Sequence, residues 1–283
     1  MNVAEAIREA ARRLAATSDT ARLDAELLMA HALGCSRSDL LLRHMQGNPP
    51  DIFARLVDRR EAREPIAYIL GKQEFYGLDF TVSPAVLIPR GDSETIVRAA
   101  LAAAPDARRV LDLGTGSGAL LLAVLHELPG ASGVGVDASL AALEVARANM
   151  QSLGLESRVE MLPGDWTEAG WDAGLGRFDL ILANPPYVED DADLDADVRE
   201  FEPASALFSG PAGLDDYREI IPQLPQLLTE CGLAMLEIGA SQASAVIEIA
   251  REHGFTATAH QDLGGRDRAL ELRLTLGKGE SSS

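Results

Sequence analysis

Val110-Leu111-Asp112-Leu113-Gly114-Thr115-Gly116-Ser117-Gly118 is the stretch on which the fold turns. Its first four residues read as a strand, its glycines as a tight turn, and residues 119–128 as the helix that follows. The alternation continues on the C-terminal side. Residues 133–137 read as a second strand and 140–153 as its helix, then 158–162 as a third strand and 178–183 as a fourth. A long loop to about residue 213 leads to a helix over 214–230, a fifth strand over 233–238 and a helix over 241–253. Strands alternating with helices predict an α/β fold, a mostly parallel sheet with right-handed crossovers. The last two strands, 255–261 and 269–276, lie close enough in sequence to pair antiparallel. Residues 277–283 make a small polar tail that is expected to be disordered.

On the N-terminal side the pattern changes. Val3, Ile7, Ala10, Ala11 and Leu14 fall at helical spacing, and a second helix over 21–33 stops at Gly34. Ser36 or Ser38 suits the cap of a short third helix, and a fourth runs over 51–63. Residues 1–64 therefore read as a small helical bundle whose functional role would be recognition of a partner, since it carries no catalytic cluster. The runs Ile66-Ala67-Tyr68-Ile69-Leu70-Gly71 and 74–82 have β-type alternation with glycine at each bend. Residues 65–84 are thus expected to form a hairpin linker to a ligand-binding domain over 85–276. Asp92 or Ser93 suits the N-cap of a helix running through Leu101.

Composition narrows the function. Hydrophobic residues make up 47% and charged ones 24%, as in ordinary globular proteins, and no apolar run approaches a membrane span, so the cytoplasm is expected. Two cysteines and five scattered histidines give no zinc-like spacing, and no metal site is expected. The net charge of −19 is unevenly placed: residues 1–75 carry 11 basic and 11 acidic side chains, residues 76–283 carry 14 and 33. Eight carboxylates fall between positions 189 and 202, a field that repels a phosphate backbone and counts against nucleic acid as substrate.

Two features carry chemistry. First, the glycine loop is G-x-G-x-G, neither the G-x-G-x-x-G of dinucleotide binders nor a Walker loop, and glycines there let a ligand approach the backbone and the helix start. Asp137 ends the next strand, where a carboxylate can accept from both hydroxyls of a ribose. Asp165 and Trp166 follow the strand after that, where a carboxylate can take an adenine amino hydrogen and an indole can flank the ring. Asp137 equally suits the cap of the helix over 140–153, and Trp166 a packing position at the rim. Together they line three successive strand ends in the order an adenosine requires. Second, Asn184-Pro185-Pro186-Tyr187 follows the apolar run 178–183. Paired prolines cannot continue a ladder or a helix, so the strand ends at Asn184 on a stiff backbone. The Asn184 side-chain carbonyl and the Pro185 carbonyl can accept hydrogen bonds from an NH2 group at the rim where α/β ligands bind.

This pattern resembles the class I S-adenosylmethionine-dependent methyltransferases. It resembles more closely the HemK/PrmC-type family, which modifies the glutamine of bacterial class-I peptide chain release factors. The resemblance covers essentially the whole chain and rests on residues 63–69 and 70–76, Leu87-Ile88-Pro89-Arg90, residues 111–118, Gly164-Asp165-Trp166, Asn184-Pro185-Pro186-Tyr187-Val188 and Phe201-Glu202-Pro203. It implies a Rossmann-like sheet with one antiparallel strand, binding S-adenosyl-L-methionine. Gly114, Thr115, Gly116, Ser117 and Gly118 would cradle the cofactor, Asp137 its ribose, Asp165 and Trp166 its adenine. Asn184 and Pro185 would hold the acceptor amide, with Pro186 and Tyr187 shaping its slot, and Asn184 would also contact the cofactor. The implied partner is a release factor, and a monomer is expected. Gly91 and Ser93 depart from the family, which usually has Pro and Thr there. A methyltransferase of exocyclic amines in DNA or RNA shares the Asn-Pro-Pro-Tyr motif but would be expected to carry a basic groove. A nucleotide-binding module without catalysis would leave that motif unexplained. An NAD-dependent dehydrogenase lacks both the glycine spacing and a hydride-shuttle histidine.

Overall fold

The computed structural model describes residues 1–275, so the expected tail over 277–283 lies outside the described residues. The chain divides into two compact units, Met1–Lys72 with Leu194–Glu202, and Gln73–Asp193 with Pro203 onward.

The first unit is helical. Helix Val3–Leu14 begins with a capping box, in which Asn2 accepts from the Glu5 N–H and Glu5 accepts from the Asn2 N–H. Helix Ala21–Leu33 ends at Gly34 in the left-handed region. The short third helix, Arg37–Asp39, is capped by Ser36 and runs on into a wide turn over Leu40–His44. With helix Ile52–Glu61 these elements bury Val3, Ile7, Leu14, Leu28, Met29 and Phe53 in one core. The segment Leu194–Glu202 adds the helix Ala196–Phe201, within a stretch expected to be loop. Buried Arg60 joins these pieces, giving Nε to Asp24 at 2.8 Å and Nη1 to Asp197 at 2.6 Å.

Ile66–Leu70 is a helix rather than the strand its alternation suggests. Pro65 starts it, Gly71 stops it in the left-handed region, and Ala67, Tyr68 and Ile69 are buried in succession. Three consecutive buried residues do not fit a strand with one solvent face. The hairpin itself is β1 (Lys72–Phe75) and β2 (Leu78–Thr81), joined through Tyr76 and Gly77. Both turn residues have positive φ, the requirement of a type I′ connection.

The second unit is built on seven strands, β3 (Arg109–Leu113), β4 (Ser132–Asp137), β5 (Val159–Pro163), β6 (Phe178–Ala183), β7 (Leu228–Glu237), β8 (Phe255–Gln261) and β9 (Asp267–Leu274). Their spatial order is β5-β4-β3-β6-β7-β9-β8. All pairs from β5 through β7 are parallel, and β9 runs antiparallel to both β7 and β8. The strand order reverses at β3 and β6, which places a crevice above their carboxyl ends. The helix expected over 214–230 breaks into Asp215–Ile220, a 3-10 turn Ile221–Gln223 and Leu224–Leu227. Pro222 and Pro225 account for the breaks, since neither can donate to a helical ladder. β7 consequently starts at Leu228, earlier than its apolar run suggests.

Aliphatic cores cover both sheet faces. Leu182 and Met235 face one, with Ile96, Val97, Leu121 and Val124 from flanking helices. Ala183 and Leu236 face the other, with Tyr217, Ile221 and Val246. This alternation fixes which side chains reach the crevice when β3, β6 and β7 end.

Candidate active site

Gly114, Gly116 and Gly118 all have positive φ, 70°, 55° and 82°. The loop folds back on β4, with the N–H groups of Gly114 and Thr115 donating to the Val136 carbonyl. Gly114 cannot be replaced cheaply: a Cβ there would stand 3.2 Å from the Trp166 ring. Gly118 is the N-cap of helix Ala119–Glu127.

Asp137 is not the cap of the following helix. That role belongs to Ser139, which accepts from the Ala142 N–H at 3.2 Å. Asp137 instead ties the rim together, taking the Gly116 N–H on Oδ2 and the Ser139 N–H on Oδ1, both at 2.8 Å. Burial pushes its carboxyl above the ordinary value, and these two donors oppose the rise. Asp165 accepts from the Thr167 N–H and hydroxyl through Oδ1. Trp166 donates from Nε1 to Asp216 Oδ1 at 3.0 Å, and Asp216 Oδ2 takes the Ser209 hydroxyl at 2.7 Å.

These groups surround a cavity of about 530 Å³ whose lining includes Gly114, Asp137, Asp165, Trp166, Asn184 and Pro186. Thr115, Gly116 and Ser117 also line it; Gly118, Pro185 and Tyr187 do not. Asn184 sits mid-rim: Ala183 pairs with Leu113 on one side and Leu236 on the other, so Gly114 and Glu237 flank the next position. The Asn184 carboxamide has no hydrogen bond to another described residue. Pro185 and Pro186 are buried. Tyr187 turns its hydroxyl inward to Glu237 Oε1 at 3.2 Å. The turn is then anchored by the Val188 N–H on the Leu207 carbonyl and the Ser209 N–H on the Val188 carbonyl.

Four residues of this constellation carry roles the sequence reading did not assign. Asp112, only 1% exposed, lines the cavity beneath the glycine loop. Its Oδ2 takes the Thr115 hydroxyl at 2.7 Å, while Oδ1 has no partner among the described residues. Burial pushes the carboxyl up to about 7, against the Thr115 hydrogen bond. The signal was a lone carboxylate inside an apolar strand. Glu237, 2% exposed, gives the same signal at the end of β7. Asp216 orients Trp166. Asn149, fully buried, accepts from the Thr81 N–H and donates to the Thr81 and Ser117 carbonyls, which binds β2 to the glycine loop. No pattern in the sequence announces those last two.

Among the described residues no cluster of His, Cys, Asp and Glu could hold a metal ion. No helix among them is long and apolar enough to cross a membrane.

The sheet order and the cavity above its switch point define a class I methyltransferase fold. A solved structure of the hMettl16 catalytic domain in complex with the MAT2A 3′UTR hairpin 6 superposes with a TM-score of 0.58 at 16% identity, covering 77% of this chain and 82% of that one. The methyltransferase small domain family matches residues 92–208, and the PrmC N-terminal domain family matches residues 5–71. The chain belongs to the release factor glutamine methyltransferase family: it is 44% identical to the member from Geobacter sulfurreducens over 90% of both chains. It is 43% identical to the Moorella thermoacetica member, covering 95% of this chain and 98% of that one. It is 42% identical to the Cereibacter sphaeroides member over 97% and 99%.

Proposed function

We propose that the chain transfers the methyl group of S-adenosylmethionine to the side-chain amide nitrogen of the glutamine in the Gly-Gly-Gln motif of class-I peptide chain release factors. The observation that carries this reading is Asn184, a carboxamide at the centre of the rim, lining the cavity and making no hydrogen bond to another described residue. Family membership supports the choice of acceptor, and the acidic excess of residues 76–283 weighs against nucleic acid. Residues 1–64 are assigned to docking the release factor as one monomer to another protein, and residues 85–276 to the transfer.

The residues present fit S-adenosylmethionine. An orphaned carboxylate oxygen on buried Asp112 suits an ammonium group. Gly114 lets the Trp166 ring pack directly against the loop backbone, where a Cβ would crowd it. Gly114, Thr115, Gly116, Ser117 and Gly118 would cradle the ligand, Asp137 would take its ribose hydroxyls, and Asp165 with Trp166 would receive its adenine. When bound, S-adenosylmethionine supplies an electrophilic methyl group.

The chain's own task is to make an amide nitrogen react, although its lone pair is delocalised into the carbonyl. Asn184 Oδ1 and the Pro185 carbonyl accept the two N–H bonds of the glutamine amide and fix the direction its nitrogen faces. The same acceptors stabilise positive charge that develops on that nitrogen, through dipoles already oriented before the substrate arrives. Pro186 and Tyr187 hold the slot, because the stiff double proline and the Tyr187–Glu237 hydrogen bond leave the turn little freedom. Methylation makes the nitrogen's proton strongly acidic, so it can pass to water without a dedicated base.

The test is direct. The purified chain is incubated with S-adenosylmethionine and a class-I release factor, and the modified residue is located by mass spectrometry. A gain of 14 Da on the Gly-Gly-Gln glutamine supports the reading. Methylation of added RNA or DNA, with the factor unmodified, overturns it.

A further inference from the structure

Ser93 stands at the N-cap position of helix Glu94–Ala103 but does not cap it. The 3-10 turn Gly91–Ser93 puts it at φ −66° and ψ −16°, helical values rather than the extended ones a capping side chain needs. Its hydroxyl is not turned to solvent either, since Ser93 is 4% exposed. Ser93 lines the same cavity as Asn184, and its Oγ faces the Glu237 carboxyl but completes no hydrogen bond among the described residues. A buried hydroxyl left without a partner is costly, which points to a group that completes it.

Behind it lies Glu237. Ala183 pairs with Leu236, so Asn184 and Glu237 occupy neighbouring rim positions. Leu182 and Met235 share one face of the sheet, and strand alternation carries Asn184 and Glu237 to that same face. The helix following Ser93 packs there through Ile96, Val97 and Ala100. Glu237 Oε1 takes the Tyr187 hydroxyl, while Oε2 has no completed hydrogen bond. Burial lifts this carboxyl to about 7, with facing Ser93, Arg268 and Tyr187 opposing the rise and Asp92 adding to it. The main chain at Glu237 is held too, its carbonyl accepting from the Tyr217 hydroxyl at 2.7 Å.

We propose that Ser93 is the second edge of the acceptor slot, donating its hydroxyl to the carbonyl oxygen of the substrate amide, and that Glu237, as the neutral acid, is the positioning residue, donating its own proton to Ser93 Oγ while accepting from the Tyr187 hydroxyl. A planar primary amide presents an NH2 side and a C=O side. Asn184 and Pro185 provide acceptors only for the first. Ser93 provides the complementary donor, so a carboxylate at the same place would meet acceptors where it needs donors. The slot thereby selects a carboxamide over the corresponding acid, glutamine over glutamate. This inference rests on the amide-acceptor reading of Asn184.

The test compares wild type, S93A, S93T and E237Q, with a release factor as acceptor and with S-adenosylmethionine binding measured separately by calorimetry. The amide is a small part of a protein substrate, so its lost hydrogen bond should appear in kcat rather than KM. S93A is expected to lose roughly three- to tenfold in kcat, the range for one neutral hydrogen bond. S93T keeps the hydroxyl and should stay within about twofold of wild type. E237Q should stay within about threefold, because its amide still accepts from Tyr187 and can donate to Ser93. All variants should bind S-adenosylmethionine as wild type does, which also reports that they are folded. A wild type that leaves the release factor unmodified would sink the amide-acceptor reading and this inference with it. An active wild type with S93A equal to it in kcat, or with S93T as slow as S93A, overturns only the role of Ser93. A tenfold loss in E237Q overturns the positioning role of Glu237.

Discussion

Asp112→Asn should make the cofactor-free protein less sensitive to alkaline pH. Burial raises the Asp112 carboxyl from the ordinary 3.8 to about 7. The folded state therefore binds this proton more tightly than the unfolded chain does. Its stabilisation is complete below the unfolded value and is lost as pH rises through the folded one. A tenfold change in proton affinity is worth about 1.4 kcal/mol, so the whole effect is about 4 kcal/mol. That is an upper bound, because water reaches the cavity the carboxylate lines. About 2 kcal/mol of it falls between pH 5.5 and pH 8.5. For a protein of this size that corresponds to roughly 4–8 °C in Tm. Thermal unfolding of wild type and Asp112→Asn, followed by circular dichroism at both pH values without cofactor, reads it as a difference of differences. Glu237 contributes equally to both proteins and cancels; Asp137 cancels only in part, because its charge is one of the causes that raise Asp112. Asparagine keeps the acceptor for the Thr115 hydroxyl, so the variant should fold. It should also bind S-adenosylmethionine at least tenfold more weakly, having lost the charge proposed to face an ammonium. Equal pH dependence in the two proteins would refute the buried, proton-binding carboxyl, and equal cofactor affinity would refute its ligand.

Three further outcomes are expected. Asn184→Ala should lower kcat by about 10²–10³, by analogy with removal of one oriented dipole from a reacting site; unchanged turnover would remove Asn184 from the chemistry. Asp137→Ala should act mainly on cofactor affinity measured by calorimetry, because it deletes both the ribose acceptor and the anchor of the Gly116 N–H; a pure kcat effect would contradict this. Arg60→Ala should destabilise the helical unit by about 3 kcal/mol, since it leaves Asp24 buried without its 2.8 Å partner. Denaturant titration measures that loss, and a change below about 0.5 kcal/mol would show the pair to be inert.

What the sequence made legible was local in origin. Val110 to Gly118 carries its own strand, turn and helix signals, and Asn184-Pro185-Pro186 carries its own stop, so a mostly parallel sheet with ligand-binding strand ends was readable, whereas the strand order came only from the structure. Ile66–Leu70 misled because alternation over six residues does not separate a strand from a short helix buried on most sides; Pro65 and Gly71 were the better signals. The broken helix after Leu214 was readable too, since Pro222 and Pro225 sit where ladder donors are needed. Residues that act across the fold were not readable. Asp216 meets Trp166 over 50 positions of sequence, and Asn149 meets Thr81 over 68. Ser93 looked like a helix cap because its residue type favours one; only the 3-10 turn ahead of it, by fixing helical dihedrals, frees the hydroxyl for the cavity.

The most direct test of how the amide is held is a crystal structure of the chain with S-adenosylhomocysteine and a release factor bound. Asn184 Oδ1 should lie about 3 Å from the nitrogen of the Gly-Gly-Gln glutamine, at hydrogen-bond distance, with that nitrogen facing the cofactor sulfur. A carboxamide of Asn184 turned into the protein interior, with the glutamine side chain outside the cavity, would contradict it.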